Sequence, residues 1–154
     1  MVRISVLIAG FTLCLLANAA EPATEPITKP GEATLFDGKL KVQVKEDGVT
    51  TQFDVAYTGT DGGSHGVGKK VESAKAAGWF IFPESATRAW MYQGSDQLTL
   101  IEFADILHPG ARGTTASTAS LEPGKEKTTA ALNNAPKAVL DRLPASFKPT
   151  SKGK

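Results

Sequence analysis

The sequence predicts a small α+β domain, an antiparallel sheet of about five strands in the order β-β-α-β-β-β with one packed helix, flanked by disordered segments. Two observations predict the sheet: an Asp-Gly pair separates two stretches of alternating apolar and polar residues, and a second pair of apolar stretches follows. The flanks are rich in proline and small residues. The domain is therefore expected over 34–108, about 75 residues, a size for which burial gives modest stability.

The N-terminus has the three parts of a secretory signal peptide. Arg3 supplies the positive charge, an apolar stretch runs from Ile4 to Leu16, and Ala17-Asn18-Ala19 fits the small-x-small cleavage site. We predict a cleaved signal peptide at 1–19 and a periplasmic or extracellular protein. No membrane span is expected after cleavage, because a span needs about 20 apolar residues; an uncleaved anchor is the alternative.

Thiol and metal chemistry are not expected in the mature chain. The single cysteine, Cys14, lies inside the predicted signal peptide, so no internal disulfide and no cysteine-ligated zinc site would remain. His65 and His108 are the only histidines, and they lack the spacing of a zinc site. We therefore expect no metal ion and no cofactor.

Both flanks have compositions typical of chain without a core. Residues 20–33 contain three prolines and few large apolar side chains, which predicts a Pro-rich linker. Residues 109–154 carry eight Lys or Arg against three Asp or Glu and predict a basic, low-complexity tail. These charges are scattered singly, so we favour a solubilising role and expect no nucleic-acid partner.

One apolar cluster interrupts the tail and predicts a short helix at 136–143. Pro136 suits a first helical turn, and one face carries Val139, Leu140 and Leu143. A helix this short is unstable alone. It would therefore dock on the core or on a partner.

The clearest element is a hairpin of 39–46 and 49–57 around Asp47-Gly48. Asp-Gly suits a type I′ turn, in which φ is positive at both central positions. In that register Val42 faces Phe53. One face of the hairpin is then apolar and the other is polar. A slip of one residue would mix the two faces, so the pattern specifies which side is buried.

A glycine-rich loop at 58–68 precedes the predicted helix at 69–77. This segment contains good helix formers, and Gly78 suits the left-handed residue that follows a helix. The residues expected to face inward are Val71, Ala74 and Ala77. A continuous apolar strand, 79–82, follows and ends at Pro83.

A second hairpin is predicted from 88–93 and 97–104, with two loop lengths open. A three-residue loop places Trp90 opposite Leu100, whereas a two-residue loop places it opposite Ile101. Both registers put apolar side chains on both faces. We therefore expect both faces of this part of the sheet to be covered.

The glycine-rich loop 62–70 contains a match to the phosphate-binding pattern G-x-x-x-x-G-K, ending at Lys69. Lys70 stands where a Ser or Thr would ligate Mg²⁺, and a small exported domain argues against nucleotide hydrolysis. Two interpretations remain: a small-anion site formed by glycine amides with both lysines, or a surface loop without a ligand.

Ser64 and His65 are adjacent, but a nucleophile and its base must face each other and need a third, orienting group. A small anion-binding or hydrolytic enzyme that uses Ser64, His65 and Lys69 is therefore kept as the alternative function. The main hypothesis is a non-enzymatic exported binding or envelope-associated module.

Aromatic residues are the strongest binding candidates, because exposed aromatic side chains often mark interaction sites. The competing interpretation is that so small a core needs its large aromatics for burial. We expect an envelope protein or a glycan as the partner. The candidate binding residues are Trp90, Tyr92, Trp79, His65, Lys69 and Lys70.

Overall fold

The computed structural model describes residues 24–148, and the predicted signal peptide lies outside them. Sheet 1 contains β1 (Gly31–Leu35), β2 (Leu40–Glu46), β3 (Thr50–Thr58) and β4 (Ser64–Glu72). Sheet 2 contains β5 (Phe80–Ser85), β6 (Arg88–Tyr92), β7 (Leu98–His108) and β8 (Ala111–Leu121). Two short helices follow, α1 (Glu126–Leu132) and α2 (Lys137–Leu140). Single 3₁₀ turns lie at Ser73–Lys75 and Ala145–Phe147.

Antiparallel sheet with few helices confirms the predicted small α+β class in its coarse form. The predicted single sheet of five strands was wrong. Each of the two sheets has four strands in sequence order, so every neighbouring pair is joined by a direct connection. No helix among residues 24–148 is long and apolar enough to cross a membrane.

The folded unit extends beyond 34–108 at both ends. Within the predicted linker, Ile27 forms a two-bond bridge with Ile81, and β1 begins at Gly31. The predicted disordered tail contains β8, which pairs with β7 along its full length. Both segments have small or polar side chains, but their backbone groups find partners in neighbouring strands, and this pairing orders them.

The first hairpin forms with a different turn from the predicted one. Asp47 N donates to Thr50 O at 3.1 Å, and Gly48 has a φ of 85°, so Gly48-Val49 are the central residues of a type II′-like turn. The register is shifted by two residues, and Val42 pairs with Val55 instead of Phe53. A shift of two residues keeps every side chain on its predicted face.

The predicted helix at 69–77 is absent, because β4 occupies much of this segment. β4 pairs with β3 from Ser64 to Glu72, which overrides the helix propensity of Lys69 and Lys70. The alanines that follow lie in and after a single 3₁₀ turn. Ala74 and Ala77, predicted to face inward, are exposed. Gly78 does have the expected left-handed conformation, with a φ of 72°.

The second hairpin confirms the three-residue loop, because Trp90 pairs with Leu100. The preceding strand continues past its predicted end: Pro83 lies within β5, next to a register shift at the edge of sheet 2. An edge strand tolerates proline there, since no ladder hydrogen bond is lost on the solvent side.

Two hydrophobic cores share sheet 2. The first core lies between the sheets and contains Leu40, Val42, Val44, Phe53, Val55, Tyr57, Ala76, Trp79, Ile81, Ala89, Met91, Ile101 and Phe103. The second lies between sheet 2 and the C-terminal segment and contains Phe80, Phe82, Trp90, Tyr92, Leu98, Leu100, Leu121, Leu132, Val139, Leu143 and Phe147. The C-terminal segment thus docks on the core, with Val139 and Leu143 buried, whereas Leu140 is 37% exposed.

Candidate functional site

The aromatic binding candidates are all buried. Trp90 is fully buried, and its Nε1 donates to Glu84 Oε2 at 2.6 Å. Trp79 donates to Glu46 Oε1 at 3.0 Å, and Tyr92 is 5% exposed. Both indole N–H groups therefore have internal partners. The burial of all three rings favours their role in the core over a role as ligand platforms.

The residues of the alternative enzyme lie on β4, but they do not converge. Ser64 and His65 are neighbours on a strand, so their side chains point to opposite faces. His65 and Lys69 share a face, but at about 3.3 Å per residue they are about 13 Å apart along the strand. Residues 24–148 contain no cluster of three or more acidic, His or Cys side chains that could hold a metal ion.

The G-x-x-x-x-G-K match is not a phosphate-binding loop in this fold. From Ser64 onward it is extended strand, and a single 3₁₀ turn follows where a helix N-terminus would be needed. Lys69 and Lys70 point to opposite faces of sheet 1, so they do not meet around one anion. His108 is exposed and is the last residue of β7.

These residues instead form an exposed sheet edge. Within the described chain, β4 is the last strand of sheet 1 and pairs with β3 alone. Gly59 N donates to Gly63 O at 2.7 Å, in the same register as the β3–β4 pairs. This bond shows that the odd-numbered residues of β4 are the ones hydrogen-bonded to β3. Because bonded and non-bonded pairs alternate in antiparallel sheets, the even-numbered residues of β4 direct their N–H and C=O groups away from β3. The outward groups in the middle of the strand belong to Gly66, Gly68 and Lys70.

Two residues of this edge have no side chain, which leaves their backbone bare on the faces of the sheet as well. Gly66 and Gly68 are both exposed. A Cβ at position 68 would lie 2.9 Å from Asp54 Oδ1, which shows how closely the carboxylate of β3 approaches the backbone of β4. We call the outward backbone of Gly66, Gly68 and Lys70, with the flanking side chains of Val67, Lys69 and Val71, the β4 edge.

The other sheet edges are less suited to binding. β1 has five residues, and β5 is bridged by Ile27 and interrupted at Pro83. β8 is long, but its side chains are mostly Ala, Ser and Thr, and Arg112 is its single charge. The β4 edge combines length, exposure and two adjacent positive charges.

The start of β4 is held in place by a carboxylate between the sheets. Asp105 on β7 accepts hydrogen bonds from Tyr57 Oη at 3.3 Å, Thr114 Oγ1 at 3.2 Å and Thr60 N at 3.4 Å. Burial raises the pKa of Tyr57, and the charge of Asp105 adds to the shift. A Cβ at Gly59 would lie 2.5 Å from Thr114 Oγ1, so the β3–β4 loop fits tightly against this group.

The sequence carried a signal for this edge that the glycines obscured. From position 65 to 71, every second residue is His, Val, Lys or Val, and Gly, Gly and Lys lie between them. That period of two is the pattern of a strand. The glycine content favoured a loop instead, and the strand's partner is visible only in three dimensions.

The structure also has an open groove of about 560 Å³. It lies in the C-terminal segment, and its apolar lining includes Leu132, Leu140, Leu143 and Phe147. No polar side chain is buried at its base, so it lacks a group that would orient a ligand.

The chain shows no significant similarity to a known protein-family model, to a curated protein or to a solved structure.

Proposed function

We propose that this protein is a non-enzymatic exported module that binds an extended segment of a partner protein by strand addition. The segment would become a fifth strand of sheet 1, paired with the β4 edge. One observation carries the proposal: the outward N–H and C=O groups of Gly66, Gly68 and Lys70 lie on an exposed edge, and within the described chain β4 is hydrogen-bonded to β3 alone, although β8 of sheet 2 packs close to it. Strand addition is an established mode of peptide recognition that uses such groups.

The chemistry of the edge favours a protein over a glycan as the envelope partner. A strand edge offers donors and acceptors at the spacing of another peptide backbone. A glycan site usually presents an aromatic face, and both tryptophans are buried with their N–H groups bonded. The separation of Ser64, His65 and Lys69 supports binding over hydrolysis.

The test compares Gly68→Pro with Gly68→Ala. Both variants add a Cβ, but proline also removes the outward N–H, which is not used in pairing with β3. The probe is a capped seven-residue peptide of alternating valine and threonine, titrated into ¹⁵N-labelled mature protein. We expect amide shifts confined to β4 and its neighbours, and binding at least tenfold weaker for Gly68→Pro than for Gly68→Ala.

A second measurement protects the test against misfolding of the proline variant. The same peptide, N-methylated at every residue, should lose binding to the unaltered protein, because neither edge of the peptide can then donate. Equal binding of the methylated and unmethylated peptides, or shifts that map away from β4, would refute strand addition.

A further inference from the structure

We infer that the partner segment carries two adjacent acidic residues flanked by apolar ones, in the order apolar-acidic-acidic-x-apolar for antiparallel addition. This inference rests on the proposed strand addition and names the chemistry that the β4 edge would select. It follows from the side chains that each position of an added strand would meet.

The inner face of the edge alternates apolar and positive side chains. Val67 and Val71 are half-buried and pack against the first core, and Lys69 lies between them and is exposed. An added strand would place one side chain beside each of these three. Apolar residues opposite the valines would extend the core, whereas a carboxylate opposite Lys69 would form a cross-strand ion pair.

The outer face adds the second acidic position. Lys70 points to this face, next to the bare backbone of Gly68. Neighbouring residues of a strand alternate between faces, so the partner residues opposite Lys69 and Lys70 are consecutive in sequence. An adjacent acidic pair is therefore the match, and the position opposite Gly68 is free to vary.

Neither lysine forms a salt bridge within the described chain. Among residues 24–148, the ion pairs of sheet 1 and its 3₁₀ turn join Lys41 to Glu32 and Lys75 to Glu72, each at 2.8 Å, and none includes Lys69 or Lys70. Three carboxylates lie near them: Glu72 is paired with Lys75, Asp54 accepts a hydrogen bond from Gln52 at 2.9 Å, and Asp47 accepts hydrogen bonds from Thr50 and Val49, which lower its pKa, while the charge of Lys70 helps to lower it further. Two positive charges thus remain available to a partner.

The same charges argue against a second copy of the chain as the occupant. Pairing β4 with another β4 would place four lysines along one seam, and like charges close to one another destabilise strand pairing. An acidic segment converts this repulsion into attraction. Charge complementarity therefore selects an acidic partner.

The experiment uses three capped peptides that differ at the two central positions: Thr-Val-Glu-Glu-Thr-Val-Thr, its Gln-Gln counterpart and its Lys-Lys counterpart. With the unaltered protein at low salt, we expect the Glu-Glu peptide to bind about fivefold more tightly than the Gln-Gln peptide. The Lys-Lys peptide should bind least. The preference should shrink as salt is added, because exposed pairs are screened.

Two sets of variants locate the preference. Lys69→Gln with Lys70→Gln should equalise the Glu-Glu and Gln-Gln peptides, and Lys69→Glu with Lys70→Glu should reverse the ranking in favour of Lys-Lys. Lys127→Gln on α1 is the matched control and should change nothing. The reversal is a gain of binding, so it cannot arise from misfolding.

The outcomes separate this inference from the function on which it rests. If all three peptides bind equally and Gly68→Pro still abolishes binding, strand addition stands and the acidic preference is wrong. If no peptide responds to Gly68→Pro, the proposed function fails as well. If the protein pairs with itself through β4 in sedimentation, the acidic partner is excluded in favour of a second copy.

Discussion

The two sheets are built from similar hairpins, but they are buried differently. In β6, four consecutive residues from Ala89 to Tyr92 are buried, because the first core covers one face and the C-terminal segment covers the other. In β2, buried residues alternate with more exposed ones, because the outer face of sheet 1 meets solvent. We therefore expect sheet 2, which is covered on both faces, to tolerate truncation less well than sheet 1, which keeps one face and one edge exposed.

The substitution with the largest expected effect on stability is Trp90→Ala, in sheet 2. Trp90 is fully buried, donates to Glu84 and lies under the Arg88 guanidinium, 5.5 Å from its ring centroid. We expect a loss of about 3–5 kcal/mol, the usual cost of truncating a buried aromatic ring. Since the free energy of unfolding of a small domain is about 5–15 kcal/mol, the variant should be close to unfolding.

Urea titration followed by circular dichroism measures this loss. Lys45→Ala, on the exposed face of β2, is the matched control and should change stability by less than about 0.5 kcal/mol. A Trp90 variant as stable as the Lys45 variant would show that sheet 2 does not carry the fold.

A smaller effect is expected from Asp47→Asn in the sheet 1 hairpin. The Asp47 carboxylate accepts hydrogen bonds from Val49 N at 2.9 Å, Thr50 N at 2.6 Å and Thr50 Oγ1 at 2.8 Å. The bond from the Thr50 backbone is the main cause that lowers the pKa of Asp47 from 3.8 to about 2. A lowered pKa stabilises the fold above pH 3.8, and this contribution disappears as the pH falls through about 2.

Thermal unfolding from pH 6 to pH 2 tests the turn. The Asn variant should be less stable than the unaltered protein at pH 6, and the difference should shrink between pH 4 and pH 2. A constant difference across that interval would mean that the ionised carboxylate is not what stabilises the turn.

The smallest effect on stability is expected from Lys69→Val. This side chain is exposed at the rim of the first core, so the free energy of unfolding should change by less than about 0.5 kcal/mol. Charged side chains on edge strands prevent pairing between copies. Sedimentation should therefore show self-association of the valine variant and a monomeric Lys69→Arg control; a monomeric valine variant would show that the charge does not protect this edge.

Local pattern predicted the hairpins better than it predicted their neighbours. The alternation around Asp47 identified the buried face correctly, although the turn type and the pairing partner of Val42 were wrong. The second hairpin was correct in register, with Trp90 opposite Leu100. The prediction of a helix at 69–77 was wrong. Lysines and alanines favour a helix locally, and the hydrogen bonds that extend β4 come from β3, which is distant from this segment in the local pattern.

The candidate site was likewise predicted only in part from the local sequence. His65, Lys69 and Lys70 were identified from the sequence, but as parts of a glycine-rich loop that would either bind a small anion or lack a ligand. Gly66 and Gly68 gain their proposed role from the ladder that turns their backbone outward, which no single segment specifies.

The sequence alone determined which faces of the hairpins are apolar, because the side-chain period of a strand is a local property of the chain. The tertiary structure decided that β4 and β8 are strands, that the linker pairs with β5, and that the aromatics are buried. Those outcomes depend on hydrogen-bond partners and covering layers contributed by residues distant in sequence, and local composition does not encode them.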